Sequence, residues 1–410
     1  MTASKFKLSL LSAGAALAIT AFSGGSAEAG YGMLPTCWGV ASCGMGGGGA
    51  ALGTDASSAI LNPALGAKVG NNAQISVGFL NANVDATVLG SNANVSTTNP
   101  SFSSEAETFA DGSLAVNYQL NPKWTVNLAL FPGGGGATNY PFSRTNAGQG
   151  SNQDSFIRLR MFQAELSVAH KYSDKLAVGV GLIYSRQDLK TDSLNNAFAS
   201  ASQGPAGALE KMNGGGFQIG GVWTPDPRVS IGLSYRSRIW HETTNTYENI
   251  FNGAIDIPQI WTLATAVKAT PNTDIVFDVR TIPWSGVKSI GSEPFATGGF
   301  GWRNQIVVNA GVQQRIRNLT LRAGWAYGNS PIDENHVFAN VLLPAIVEHH
   351  FMAGASYKFL GNYEVGFSGY FAPKVTVKED GSGDGFSQGG RATELSHEQF
   401  GGQVSFSVDF

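Results

Sequence analysis

From residue 72 onward, apolar and polar side chains take turns along the chain. In Gln403-Val404-Ser405-Phe406-Ser407-Val408-Asp409-Phe410 the even positions are Val, Phe, Val and Phe, and the odd ones Gln, Ser, Ser and Asp. A period of two sends one set to each face of a β-strand. Leu319, Leu321, Ala323, Trp325 and Tyr327 alternate in the same way with Thr320, Arg322 and Gly324, and Ile275, Phe277 and Val279 with Asp274, Val276 and Asp278. About fourteen such stretches can be traced, an even number in the range of bacterial membrane barrels. Their spans are 73–89, 112–120, 123–132, 156–172, 175–189, 213–224, 228–246, 254–269, 273–285, 302–316, 318–328, 347–359, 362–376 and 394–410.

The connections have a rhythm of their own. Short turns (Asn121-Pro122, Ser173-Asp174, Pro225-Asp226-Pro227, Pro271-Asn272, Gly361-Asn362) alternate with longer loops at 90–111, 133–155, 190–212, 286–301, 329–346 and 377–393. Short turns at one end and long loops at the other are the wiring of an outer-membrane barrel, whereas a soluble β-sandwich has no reason to keep that alternation.

Composition agrees with this and excludes other classes. Only 13% of the 410 residues are charged, against about 25% in an ordinary soluble domain, and 53 are glycine. With mean hydropathy of -0.04 there is no room for many apolar runs of roughly 20 residues, which rules against a helical membrane protein. The 10% aromatic content is too high for a disordered chain, and a net charge of -3 gives no sign of a nucleic-acid partner. In lipid every backbone polar group must be paired, and a closed barrel does this with only every second residue apolar. Trp124, Tyr172, Tyr235, Trp240 and Tyr357, near strand ends, are candidates for interfacial girdles.

The N-terminus reads as an export signal. Lys5 and Lys7 precede an uncharged apolar stretch, Leu8 to Phe22, and Ala27-Glu28-Ala29 offers a cleavage site, so residues 1–29 are expected to be a signal peptide. Cys37 and Cys43, the chain's two cysteines, would then meet an oxidising compartment, where a disulfide is expected. Their spacing fits no zinc or haem pattern, and neither a metal nor a cofactor is expected.

Between the signal and the first strand lie the glycine run Gly46–Gly49, then Asp55-Ala56-Ser57 and Asn62-Pro63-Ala64. No Gly-Lys-[Ser/Thr] follows the glycines, so they are not a phosphate loop. The proline cannot donate a ladder hydrogen bond, which places Asn62-Pro63-Ala64 in a turn. A Gly/Ala-rich start followed by these two motifs resembles the N-terminal region of the FadL/TodX family of outer-membrane transporters of long-chain fatty acids and aromatic hydrocarbons. The C-terminal third is similar to that family at Arg322 to Tyr327, Asn329-Ser330-Pro331, Pro344, His349-His350 and Gly354 to Tyr357, and Phe410 is a typical barrel terminus.

The resemblance implies an all-β fold: a transmembrane antiparallel barrel of about fourteen strands, residues 73–410, in the outer membrane of a Gram-negative cell. Residues 30–72 would form an N-terminal hatch inside its lumen. It also implies passive, hatch-gated uptake of hydrophobic compounds, long-chain fatty acids first, with sideways exit through the barrel wall. The partners expected are hydrophobic small molecules, outer-membrane lipid and lipopolysaccharide, with the chain acting as a monomer. Uptake of aromatic or other hydrocarbons is the alternative, and a general porin the other; a porin has no need of residues 30–72. An interfacial hydrolase is not expected, and the chain is read as no enzyme.

Inward parity offers Arg280, Arg322 and Lys358 as anchors for a carboxylate, because an arginine fork matches a carboxylate bidentately. Equally, each could pair with an inward acid such as Asp278. His350, beside His349 at a strand start, is a further ligand candidate, and Phe131, Tyr140 and Phe142 are candidates for a capture site on the loops.

Overall fold

A computed structural model describes residues 30–89, 101–140, 155–191, 207–248, 251, 253–294, 298–379 and 392–410. The expected signal peptide and Phe142 lie outside them. Fourteen long strands form one antiparallel sheet: β1 Asn72–Leu89, β2 Thr108–Asn121, β3 Trp124–Tyr140, β4 Ser155–Lys171, β5 Leu176–Thr191, β6 Glu210–Asp226 and β7 Val229–Arg236, then β8 Ile260–Thr270, β9 Thr273–Ile282, β10 Gln305–Ile316, β11 Leu319–Gly328, β12 His349–Phe359, β13 Tyr363–Lys378 and β14 Ala392–Asp409. Two short strands, Ser101–Ser103 on β1 and Trp240–His241 on β6, join its edge at the long-loop end. Each long strand pairs with the next, and β1 pairs with β14 from Asn72↔Asp409 to Leu89↔Ala392. The sheet therefore closes into a barrel with no free edge along this seam, the condition for spanning lipid with strands. Among the described residues no helix is long and apolar enough to cross a membrane.

Alternation sets the two faces. Along β5, Leu176, Val180, Leu182 and Tyr184 face outward, exposed, while Ala177, Ser185, Gln187 and Leu189 are buried inside. The same inversion of the soluble pattern holds at the C-terminus, with Val404 exposed and Ser405 and Ser407 buried. Trp124, Tyr172, Trp240 and Tyr357 lie exposed on the outer surface near strand ends.

Several boundaries differ from the sequence reading. The stretch 228–246 is not one strand: β7 ends at Arg236, and Trp240–His241 resumes as a separate pairing on β6. β8 starts at Ile260 rather than 254, and β3 runs on to Tyr140 through residues taken as a loop. Phe131 and Tyr140 consequently sit on that strand, fully buried, with the Tyr140 hydroxyl donating to Val341 O at 3.0 Å. They are interior residues, not loop residues exposed for capture, because the strand runs on through 133–140.

Residues 30–71 occupy the lumen. They are nearly all buried and form α1 Val40–Gly44, α2 Ser58–Leu61, a 3-10 turn at Pro63–Leu65, and α3 Gly66–Val69. Helices this short have little stability alone, so their conformation comes from packing against the wall.

Candidate functional site

The inward residues sort into two layers. Towards the short-turn end the wall is polar, and its side chains bind the backbone of residues 44–66. Asp278 accepts from Gly49 N and Ala50 N, each at 2.9 Å. Asn309 donates to Gly46 O at 2.5 Å, and Arg280 donates to Gly47 O. Gly46, Gly47 and Gly49 have φ of 74, 76 and 108°, values a side chain would strain, which accounts for the glycine run. Asn127 donates to Ala56 O and Asn117 to Gly66 O. Buried carbonyls and amides need such partners, so the polar lumen and the backbone of residues 46–66 satisfy one another.

Asn62-Pro63-Ala64 is one of these seats. Asn62 caps the 3-10 turn, its Oδ1 accepting from Ala64 N at 3.1 Å. Its amide nitrogen donates to Ala50 O at 3.0 Å within residues 30–71 and to Gly221 O at 3.2 Å in the wall. Wall glycines allow the approach: a Cβ on Gly220 would strike Asn62 Oδ1, and one on Gly179 would lie 2.5 Å from the Pro63 carbonyl carbon. Cys37 and Cys43 are joined in a disulfide beside α1.

A buried ion pair belongs to the same layer. Arg236 lies 3.2 Å from Glu165 and also donates to Gln163 Oε1, Gln218 Oε1 and Ile60 O, with both side chains under a tenth exposed. Sequence reasoning did not single out this network.

The anchors proposed from parity are not gathered at one place. Arg280 is taken up by Gly47, beside Asp278. Arg322 donates to Gln313 Oε1 at 3.2 Å and to Ser356 Oγ at 3.0 Å. Lys358 pairs with Asp409 at 2.5 Å at the short-turn end. The period of two splits the histidine pair: His349 stands outside against Trp325 and Tyr327, while His350 is fully buried inside. Among the described residues no cluster of His, Cys, Asp or Glu could hold a metal.

Towards the long-loop end the lumen turns apolar. Met33, Leu80, Ala82, Val84, Phe109, Gly135 to Ala137, Trp302 and Leu343 to Ala345 bound a chamber, part of it open to solvent, whose polar lining side chains are His397 and Gln399. Tyr31 lies near it, with its ring 5.8 Å from that of His350 and its hydroxyl accepting from Asn309 at 3.0 Å. Burial pushes the Tyr31 phenol up to about 12.

The wall is interrupted beside this chamber. β2 and β3 pair only from Leu114↔Leu130 down to Asn121↔Trp124. Above that, residues 108–113 pair with β1 alone, and β3 from Pro132 on pairs with β4 alone. The chain just before β2 meets β3 again at Asn139, whose carbonyl accepts from Glu105 N at 2.7 Å. Pro132 lacks an N–H, and Gly134 and Gly135 have φ of 125 and 151°, so Pro132-Gly-Gly-Gly-Gly136 cannot keep a regular ladder. Residues 30–71 supply the missing partners from within: Trp38 Nε1 donates to Pro132 O at 3.0 Å, and Gly135 N donates to Met33 O at 2.8 Å. Proline followed by four glycines, inside a strand, was the sequence signal for this gap.

Comparison with known proteins follows the same lines. A sequence model of the family described as "Outer membrane protein transport protein (OMPP1/FadL/TodX)" matches residues 25–408. Among solved structures, the Pseudomonas putida toluene transporter TodX is 17% identical and superposes with a TM-score of 0.69, over 92% of this chain and 99% of that one. A Pseudomonas aeruginosa FadL homologue is 18% identical, with a TM-score of 0.66 and 93% and 100% covered. The Ralstonia pickettii toluene transporter TbuX is 19% identical, with a TM-score of 0.64 and 92% and 99% covered. Among curated proteins none matches significantly.

Proposed function

The chain belongs to the OMPP1/FadL/TodX family of outer membrane transport proteins, and from that premise we propose that it takes up neutral hydrophobic molecules through the apolar chamber and releases them sideways through the gap between β2 and β3. The observation that carries this reading is the contact between the two: Phe109 on one edge of the gap and Gly135 to Ala137 on the other line the chamber directly. A greasy solute crosses the polar lipopolysaccharide layer poorly, and a lateral exit delivers it to lipid without returning it to water.

Met33 and Trp38 hold the backbone of the gap, so residues 30–71 act as its hatch. A small displacement of these two residues uncovers unpaired Pro132 O and Gly135 N. The disulfide between Cys37 and Cys43 keeps that hinge region compact. Transport of this kind is driven by the solute gradient alone, and family members are transport channels rather than enzymes.

The chamber's lining favours a neutral solute over a fatty-acid carboxylate. Among the described residues no Lys or Arg lines it, and Arg236, Arg280 and Arg322 are taken up by residues 30–71 and by the wall. A carboxylate taken out of water without a counter-charge is costly, so an aromatic or aliphatic hydrocarbon skeleton suits this site better. TodX and TbuX are described as toluene transporters, which agrees with that preference.

Gly136 provides the test. Its φ is not positive, and a Cβ there presses only on the end of the Leu343 side chain, 3.0 Å from Cδ2, so Gly136→Phe crowds the chamber mouth at a backbone conformation open to a side chain. Cells carrying Gly136→Phe should lose uptake of a radiolabelled monoaromatic hydrocarbon while the barrel still assembles. Uptake equal to that of the parent protein would overturn the chamber and gap route.

A further inference from the structure

His397 and Gln399 share the inward face of β14, two residues and so roughly 7 Å apart along the strand. They are 3% and 1% exposed and stand in an otherwise apolar lining beside Ala82, Val84 and Leu343. His397 Nδ1 lies 2.8 Å from Pro344 O. A carbonyl only accepts, so Nδ1 bears the proton and the neutral ring presents Nε2 as an acceptor. That Nε2 has no partner. Gln399 Nε2 lies 2.9 Å from His350 Nε2, and Gln399 Oε1 likewise has no partner. Buried polar atoms are almost always hydrogen-bonded, and two unpaired ones on one chamber wall mark a place where a ligand supplies the bond.

We propose that this notch binds a hydroxyl group, so that the chamber selects hydrophobic compounds carrying a single O–H, alkylphenols above all, over bare hydrocarbons and over carboxylates. The assignment rests on the chamber being the transport site. A ligand hydroxyl donates to His397 Nε2 or Gln399 Oε1. If the Gln399 amide is turned over, its N–H donates to the hydroxyl oxygen while His397 Nε2 accepts, so the hydroxyl is satisfied either way. A hydrocarbon leaves both atoms unpaired. A carboxylate brings only acceptors to an acceptor pair, with no cation in the lining. The rest of an alkylphenol is apolar, and Trp302 offers its ring an aromatic neighbour across the chamber.

Titration calorimetry on the purified, detergent-solubilised full chain tests this with three probes: para-propylphenol, para-propyltoluene (a methyl in place of the hydroxyl) and para-propylbenzoate. The phenol should bind about three- to tenfold more tightly than the toluene, the worth of one net hydrogen bond, and the benzoate most weakly. In His397→Leu and Gln399→Leu the phenol's advantage should vanish while the toluene binds as well or better. Heat-shifted mobility on gels verifies that each variant is folded, and the comparison of probes on the parent chain needs no variant at all. Equal binding of phenol and toluene to the parent chain overturns the notch and leaves the transport reading standing. Binding of none of the three overturns the chamber as a site, and with it both proposals.

Discussion

Replacing Asn62 by alanine removes three hydrogen bonds at once: the cap on Ala64 N, the tie to Ala50 O within the hatch, and the tie to Gly221 O in the barrel wall. Asn62 is fully buried, so no bulk water stands ready to replace them. At a net worth of about 1 kcal/mol each, the loss is roughly 3 kcal/mol. A tenfold change in equilibrium costs about 1.4 kcal/mol, so the ratio of seated to unseated hatch should fall by about two orders of magnitude. The barrel itself keeps its strand ladder, and the effect is confined to the hatch. Hydrogen exchange of residues 58–69 should accelerate by that factor, and single-channel recordings should show openings correspondingly more often. Asn62→Asp sharpens the test: it retains the acceptor for Ala64 N but turns an acceptor towards two carbonyls, and should loosen the hatch at least as much. Unchanged exchange and unchanged conductance in both variants would refute the idea that this motif seats the hatch.

Gly220→Ala drives a methyl into Asn62 Oδ1, so it should unseat the same segment; combined with Asn62→Ala the effects should be clearly less than additive by hydrogen exchange. Arg236→Leu strands the buried Glu165 carboxylate and should lower stability by about 3–5 kcal/mol in urea unfolding, whereas Arg236→Leu with Glu165→Leu should recover much of the loss. Reducing the disulfide, or Cys37→Ser with Cys43→Ser, releases a loop whose closure is worth about 2 kcal/mol of chain entropy, and should speed exchange over residues 36–46 without altering the barrel's heat-shifted mobility. For pH, the seated hatch keeps the Tyr31 phenol protonated up to about 12, while a phenol free in water ionises near 10. Seating is therefore unaffected below pH 10 and weakens as pH rises from 10 to 12, by up to about 3 kcal/mol; Tyr31→Phe should abolish that alkaline loosening, read again by exchange.

Local sequence determined the barrel. Strand faces follow from a period of two that each strand carries by itself, so Val404 against Ser405, or Leu182 against Ile183, could be assigned without knowing any neighbour. The alternation of turn and loop lengths indicated the wiring, and Asn62-Pro63-Ala64 stood out by its resemblance to the family's N-terminal region, with its proline placing it in a turn. Parity also read Arg280, Arg322 and Lys358 as inward. It could not show what they meet. Gly47 lies 233 residues from Arg280 in the chain, and the contact exists only because the closed sheet wraps the hatch.

The gap was half visible. The strand was read as ending at 132 and residues 133–155 as a loop, although Pro132 and the four glycines after it stand inside a longer strand. Only the pairing of β3 with β4 beyond Pro132, and not with β2, makes an opening in the wall. The chamber and its notch were decided wholly by the tertiary structure. Val84, Phe109, Gly136, Trp302, Leu343 and His397 come from six separate segments, and periodicity tells on which face each lies but never at which height of the barrel or across from which partner. Those are set by register and closure, which are properties of the whole sheet rather than of any strand.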